Sequence, residues 1–156
     1  FYNPNIHPAE EYDKRLTCTG QAAQNYVLTL IEGPGDKNNW LDKTNDYGDD
    51  PEGGQRCEIC FNMRLEKTAV FARENGYDIF ATTLSVSPHK NSKIINAAGK
   101  MLSEKYGVEF LEADFKKQDG FKKTILLSKK LQLYRQNYCG CIYSIRNVLE
   151  VSDDKL

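Results

Sequence analysis

Short apolar runs alternate along this chain with segments of helical period, and that alternation most constrains its fold. Residues 26–32 (YVLTLIE), 77–86 (YDIFATTLSV) and 108–115 read as strands of the buried type. Helices are expected from Pro8 to about residue 23, over 56–74, over 91–106 and over about 122–131. Pro8 suits a helix start, with Glu10 and Glu11 in the first turn. Asn75-Gly76 and Gly107 suit left-handed helix ends. On the second helix Ile59, Cys60, Met63, Val70 and Phe71 mark the apolar face; on the third Ile94, Ile95, Ala98, Met101 and Leu102 do. Trp40, the single tryptophan, is expected to anchor a short helical turn. Strands that alternate with helices predict a parallel, doubly wound α/β sheet. Such sheets bind ligands beyond the carboxyl ends of their strands. Loops 3–7, 33–40 and 85–91 fall at those ends. Phe1 and Tyr2 read as the tail of a strand that begins upstream, so the chain is expected to be a piece of a longer protein.

The 156 residues fit one domain, here read as 1–156 with a Cys-, Tyr- and Lys-rich C-terminal segment over 115–146. Apolar runs fall well short of the ~20 residues of a membrane helix, so no membrane partner is expected. No basic-then-apolar leader argues for secretion. The net charge of −1 hides an asymmetry. Residues 1–60 hold eleven acids and five bases, whereas 114–146 hold eight bases and two acids. That split suits a polyanion docking on the C-terminal part, or simply a solvated lysine face.

The five cysteines are Cys18, Cys57, Cys60, Cys139 and Cys141. An odd number in two close pairs suits metal or redox chemistry in a reducing, cytoplasmic setting better than a secreted disulfide framework. In Cys57-Glu58-Ile59-Cys60, residues three apart share a helix face, so both sulfurs reach one metal. A helix start also lowers thiol pKa. In Cys139-Gly140-Cys141, extended residues two apart face the same way. A disulfide across one residue is strained and easily reduced, which suits a redox pair. Together the pairs allow a Cys₄ zinc site or a share of an iron–sulfur ligand set; spacing alone does not separate these. Cys18 reads as incidental on an exposed helix side.

Thr82, Ser85, Ser87, His89 and Lys90 cluster where a strand gives way to a helix, a setting for binding phosphate. Ordinary capping by Asn91 is the competing reading. His7, behind Asn3 and Asn5, is either a ligand or proton donor or a hydrogen-bonded loop residue. Lys116, Lys117, Lys122, Lys123, Tyr134, Arg135, Tyr138, Tyr143 and Arg146 mix phosphate-binding and base-stacking side chains, as an RNA loop requires.

The segments FYNPNIHPAEEY (1–12), EGGQRCEICFNMRLEKTA (52–69), TTLSVSPHKN (82–91), DFKKQDGF (114–121) and LYRQNYCGCIYS (133–144) resemble the QueH family of epoxyqueuosine reductases over nearly the whole chain. The resemblance implies a HUP-type α/β domain and a [4Fe–4S] cluster, and leaves room for a second iron. It implies reduction of epoxyqueuosine to queuosine at the wobble position of tRNA, with electrons from a separate donor. By similarity, Cys57 and Cys60 are cluster ligands and Cys139 and Cys141 a redox-active pair. His7, Thr82, Ser85, Ser87, His89 and Lys90 would then line the substrate pocket, and Tyr134 and Arg135 would meet the anticodon arm. Two departures stand out. The family carries an N-terminal paired-cysteine motif that supplies further cluster ligands, and this sequence has none; it is expected upstream of Phe1, and this chain alone is expected to be inactive if it is required. Gly33-Pro34-Gly35-Asp36 replaces a more acidic, tyrosine-containing stretch. A non-catalytic Cys₄ zinc module that binds RNA is the rival from another class.

Overall fold

The computed structural model describes residues 1–145, as two compact units. Of the described residues, Phe1–Asp49 and 126–145 form the first, and Asp50–Ile125 the second. Arg146, counted above with the basic tail, lies outside the described residues. The architecture is α/β, mostly helical, with one small parallel sheet. Among the described residues no helix is long and apolar enough to cross a membrane.

The first unit holds α1 (Ala9–Asn25) and α2 (Lys37–Thr44). Helix α1 buries Glu11, Arg15 and Ala23, so its inward face carries an ion pair. Trp40 is buried on α2 as expected, and the Thr44 hydroxyl donates to its carbonyl at 2.8 Å. The strand expected over 26–32 is not formed. Helix α1 runs on to Asn25, and Tyr26 becomes its cap, donating to Ala22 and Ala23. Val27 takes the left-handed conformation at φ 54°, and Leu28 N–H closes back onto Ala23 at 2.9 Å. Helix termination therefore consumes the first residues of the run. The rest lacks a ladder, apart from Phe1, which donates its N-terminus to Ile31 and accepts from Gly33 at 2.9 Å.

The second unit holds α3 (Gln55–Glu74), β1 (Ile79–Phe80), α4 (Ser92–Tyr106) and β2 (Glu109–Phe110). Helix α5 (Gly120–Lys130) leads the chain back to the first unit. Strands β1 and β2 pair in parallel, Phe80 opposite Phe110. They are far shorter than the runs that predicted them. After Phe80 the Thr82 hydroxyl accepts from Leu84 N–H at 3.2 Å and starts a 3₁₀ turn over Leu84–Val86. A local side-chain bond of this kind offers the backbone an alternative to the ladder.

The core of this unit is Cys57, Phe61, Leu65, Ala69 and Ala72 of α3, packed with Ile95, Ala98 and Leu102 of α4 and with Phe80, Val108 and Phe110. The α3 face is thus offset from the one expected: Ile59, Val70 and Phe71 are only half-buried. On α4 the expected face holds, except that Met101 is exposed. The helix ends follow expectation. Asn91 caps α4 by accepting from Lys93 N–H at 3.0 Å. Gly76 and Gly107 take positive φ of 70° and 66° behind α3 and α4, where a side chain would be strained.

Candidate functional site

In the first unit the Cys139-Gly140-Cys141 strip is held from two directions. His7 N–H donates to the Gly140 carbonyl at 2.7 Å, and the Tyr138 hydroxyl donates to the His7 carbonyl. From α1, Arg15 donates through Nη1 to the Cys139 carbonyl at 2.9 Å and through Nη2 to the Tyr138 carbonyl at 3.2 Å. Its guanidinium lies 5.2 Å from the Tyr138 ring centroid. Its Nε donates to Glu11 at 2.7 Å, and the other Glu11 oxygen accepts from the Tyr134 hydroxyl at 2.7 Å. A buried ion pair is costly unless its polar atoms are all satisfied. Here all three guanidinium nitrogens have acceptors and both carboxylate oxygens have donors. Such a satisfied network is rigid.

Gly140 sits at φ 113°, and a Cβ there would come within 2.7 Å of Arg15 Nη1. Only glycine fits both constraints. All five cysteines are free. Cys139 is half-buried, whereas Cys141 is 6% exposed. A hydrogen bond between the two thiols, together with burial, pushes the Cys141 thiol far up; Ser144 pulls the other way. Cys141 Sγ donates to the Ser144 hydroxyl at 3.4 Å, and that hydroxyl donates to the Cys141 carbonyl at 2.7 Å. The His7 ring donates through Nδ1 to the Asn5 carbonyl at 3.0 Å. Trp40 lies 6.1 Å from it, centroid to centroid. Cys18 is half-buried, not exposed as expected, and donates to the Tyr134 carbonyl at 3.5 Å.

An open cleft of about 640 Å³ forms where loops 3–7 and 33–40 meet, lined by Asn3, Tyr12, Glu32, Asp36 and Asn39 among others. These are two of the three loops that the strand order singled out. None of the site residues named from the sequence lines it.

In the second unit Cys57 and Cys60 lie on the first turns of α3, each 7% exposed. The Gly53 N–H donates to Cys57 Sγ at 3.3 Å. Among the described residues, no three or more His, Cys, Asp or Glu side chains gather as a metal site. Thr82, Ser85 and Ser87 serve the turns. Ser85 is fully buried and accepts from Phe115 N–H at 3.3 Å; Ser87 accepts from His89 N–H at 3.3 Å. The Lys90 ammonium reaches Glu52 at 3.0 Å, while His89 is exposed. Lys116 donates to the carbonyls of Ser85 and Lys90 and pairs with Asp114 at 3.0 Å. The ammonium holds the Asp114 carboxyl below the usual carboxylate range, with Ser92 adding a bond.

The structure thus groups His7 and Tyr134 with Cys139 and Cys141, and Cys57 with Cys60. Arg135 is exposed. Glu11, Arg15 and Ser144 were missed. Glu11 and Arg15 stand four apart on a helix, a pair that the sequence displays. Nothing in the spacing tells that it faces inward.

The family model of epoxyqueuosine reductase QueH matches residues 1–147. The chain is 43% identical over 148 residues to the epoxyqueuosine reductase QueH of Thermotoga maritima, covering 93% of this chain and 77% of that protein. It is 40% identical to that of Histophilus somni and 38% to that of Streptococcus pyogenes, covering 94% of this chain in each case. It spans 61% and 60% of the length of those two relatives. A match of this extent, holding both cysteine pairs, places the chain in the QueH family of epoxyqueuosine reductases.

Proposed function

We propose that this chain acts as an epoxyqueuosine reductase on tRNA, in the cytoplasm, with a HUP-type doubly wound domain. The observation that carries the reading is the family match over residues 1–147, which includes every cysteine discussed above. The relatives' names favour it over a zinc-binding RNA module. Removing the epoxide oxygen as water takes two electrons and two protons, the electrons coming from a separate donor.

Cys57 and Cys60 fit the expected cluster as two of its ligands. Their spacing puts both sulfurs on one helix face, and the Gly53 N–H already serves Cys57 Sγ as a donor to bound thiolate would. A [4Fe–4S] cluster supplies electrons and a Lewis-acidic iron when bound. Cys139 and Cys141 form the redox-active pair.

Four groups compete to supply a proton. Asp114 is a poor donor, because Lys116 keeps it ionised. Tyr134 and Tyr138 hold their protons tightly: the bond to Glu11 raises Tyr134, and burial raises Tyr138. His7 remains. Its Nδ1 is committed to Asn5, so Nε2 is the nitrogen that exchanges a proton.

The test is anaerobic. The chain, extended by the residues expected upstream of Phe1, is reconstituted with iron and sulfide, mixed with epoxyqueuosine-containing tRNA and a chemical reductant, and the tRNA nucleosides are weighed by mass spectrometry. Queuosine, lighter by one oxygen, is expected. A loaded chain that binds the tRNA yet leaves the epoxide intact sinks the proposal.

The exposed lysines of α5 and Arg135 supply the tRNA contact. Arg135→Ala is expected to weaken tRNA binding several-fold at low salt. The slope of log affinity against log salt should fall by about 0.7–0.9, as for one lost phosphate contact. An unchanged slope in a binding titration removes Arg135 from the interface.

A further inference from the structure

Oxidation of two thiols to a disulfide needs both sulfurs near each other in the dithiol, or ordering them costs the reaction its advantage. The Cys139-Gly140-Cys141 strip lies outside any strand or helix; a helical turn begins only at Ile142 and anchors the Cys141 carbonyl through Ser144, which leaves the 138–140 backbone without local order. Its backbone geometry is imposed by partners distant in sequence, and Arg15 supplies the most. One guanidinium grips two consecutive carbonyls, of Tyr138 and Cys139, and covers the Tyr138 ring. It is itself 8% exposed and locked by Glu11. The left-handed turn at Gly140 brings the backbone against Nη1, where no other residue fits.

Resting on the reading of Cys139 and Cys141 as a redox pair, we propose that Arg15 is its positioning residue: it fixes the 138–140 backbone so that the two thiols stay in mutual reach, with Cys139 outward and Cys141 buried. Arg15 touches neither sulfur in this role and is not itself catalytic.

The roles of the two sulfurs follow from their burial. A small disulfide meets the Cys139 thiolate first. The Cys139 sulfur attacks one sulfur of that disulfide, forms a mixed disulfide and expels a thiolate. Cys141 then loses its proton and attacks the Cys139 sulfur, which closes the Cys139–Cys141 bond and expels the second thiolate. The dithiol gives up two electrons and two protons, and the small disulfide becomes two thiols. The first step needs only an accessible Cys139. The second needs the geometry that Arg15 maintains.

The prediction concerns partition, not stability alone. The chain is equilibrated in glutathione buffers of fixed ratio, quenched with acid and alkylated. Tryptic peptide 136–146, which carries Cys139 and Cys141 and no other cysteine, is then weighed. The wild-type peptide is expected mostly as the internal disulfide. In Arg15→Ala the ratio of internal disulfide to glutathione adduct should fall about tenfold or more, as an effective concentration is lost. Arg15→Lys keeps the charge but not the two-pronged grip, so it should fall between them. It also serves if the alanine variant does not fold. Thr44→Ala, which loses a buried hydroxyl bond in the same unit, should lower the melting temperature and leave the ratio unchanged. A wild-type ratio in both Arg15 variants overturns the positioning role. A fall in Thr44→Ala equal to that in Arg15→Ala also overturns it, because the effect is then one of general stability. If the wild-type peptide forms no internal disulfide in any buffer, the redox-pair reading itself fails, and that outcome is distinct from the other two.

Discussion

Phe110→Ala is expected to destabilise the second unit by about 3–5 kcal/mol. The Phe110 ring is 8% exposed, lies 5.1 Å from Phe80 centroid to centroid, and closes the core between the two-stranded sheet and α4. Truncation loses the transfer energy of the ring and leaves a cavity that a small unit fills poorly. Gly99 makes the argument sharper. A Cβ at that position would overlap the Phe110 ring, so the glycine is the floor on which the ring sits. Alanine at a helix interior normally gains up to about 1 kcal/mol over glycine. Here overpacking costs about 1–3 kcal/mol and wins, so Gly99→Ala should destabilise. In the Phe110→Ala background the overlap is gone, and Gly99→Ala should become neutral or stabilising. Urea denaturation of the four proteins completes the cycle. A coupling within about 0.5 kcal/mol of zero would mean that the ring does not sit on Gly99.

That pair also marks where sequence reading stops. The limits of α3 and α4 are legible because their caps, Gly76, Asn91 and Gly107, are local chemistry. The face of α3 is not, since Ile59, Val70 and Phe71 compete with Cys57, Phe61, Leu65 and Ala69 for the same role. Only the partner helix decides between them. The strand at 26–32 fails for a related reason. Its composition suits a strand, but the capping of α1 takes up Tyr26 and Val27, and strands exist only against neighbours. At the site, the cysteine pairs were visible as spacing. The grip of Arg15 on Cys139 joins residues 124 apart in sequence, and no local pattern encodes that distance. Thr82, Ser85 and Ser87 serve turns, and turn formation and anion binding draw on the same residue types.

If Cys57 and Cys60 ligate the proposed cluster, Cys57→Ala and Cys60→Ala are each expected to prevent loading of iron and sulfide, and with it to cost at least about 100-fold in turnover. Two observations make the effect this large. The thiols lie on one face of α3 in its first turns, and the Gly53 N–H donates to Cys57 Sγ at 3.3 Å. Both are also buried, so a lost sulfur is not replaced by a side chain from solvent. Cys57 belongs to the core as well, and its loss should cost stability that Cys60 does not share to the same degree. Iron, sulfide and visible absorbance separate ligation from folding: both variants should be colourless, while far-ultraviolet dichroism stays near wild type. Cys139→Ala should behave in the opposite way, keeping iron and colour while losing turnover. If Cys57→Ala or Cys60→Ala retains full iron and sulfide, that cysteine is not a ligand. If Cys139→Ala loses the iron too, the two pairs act in one ligand set, and the division between ligand pair and redox pair falls.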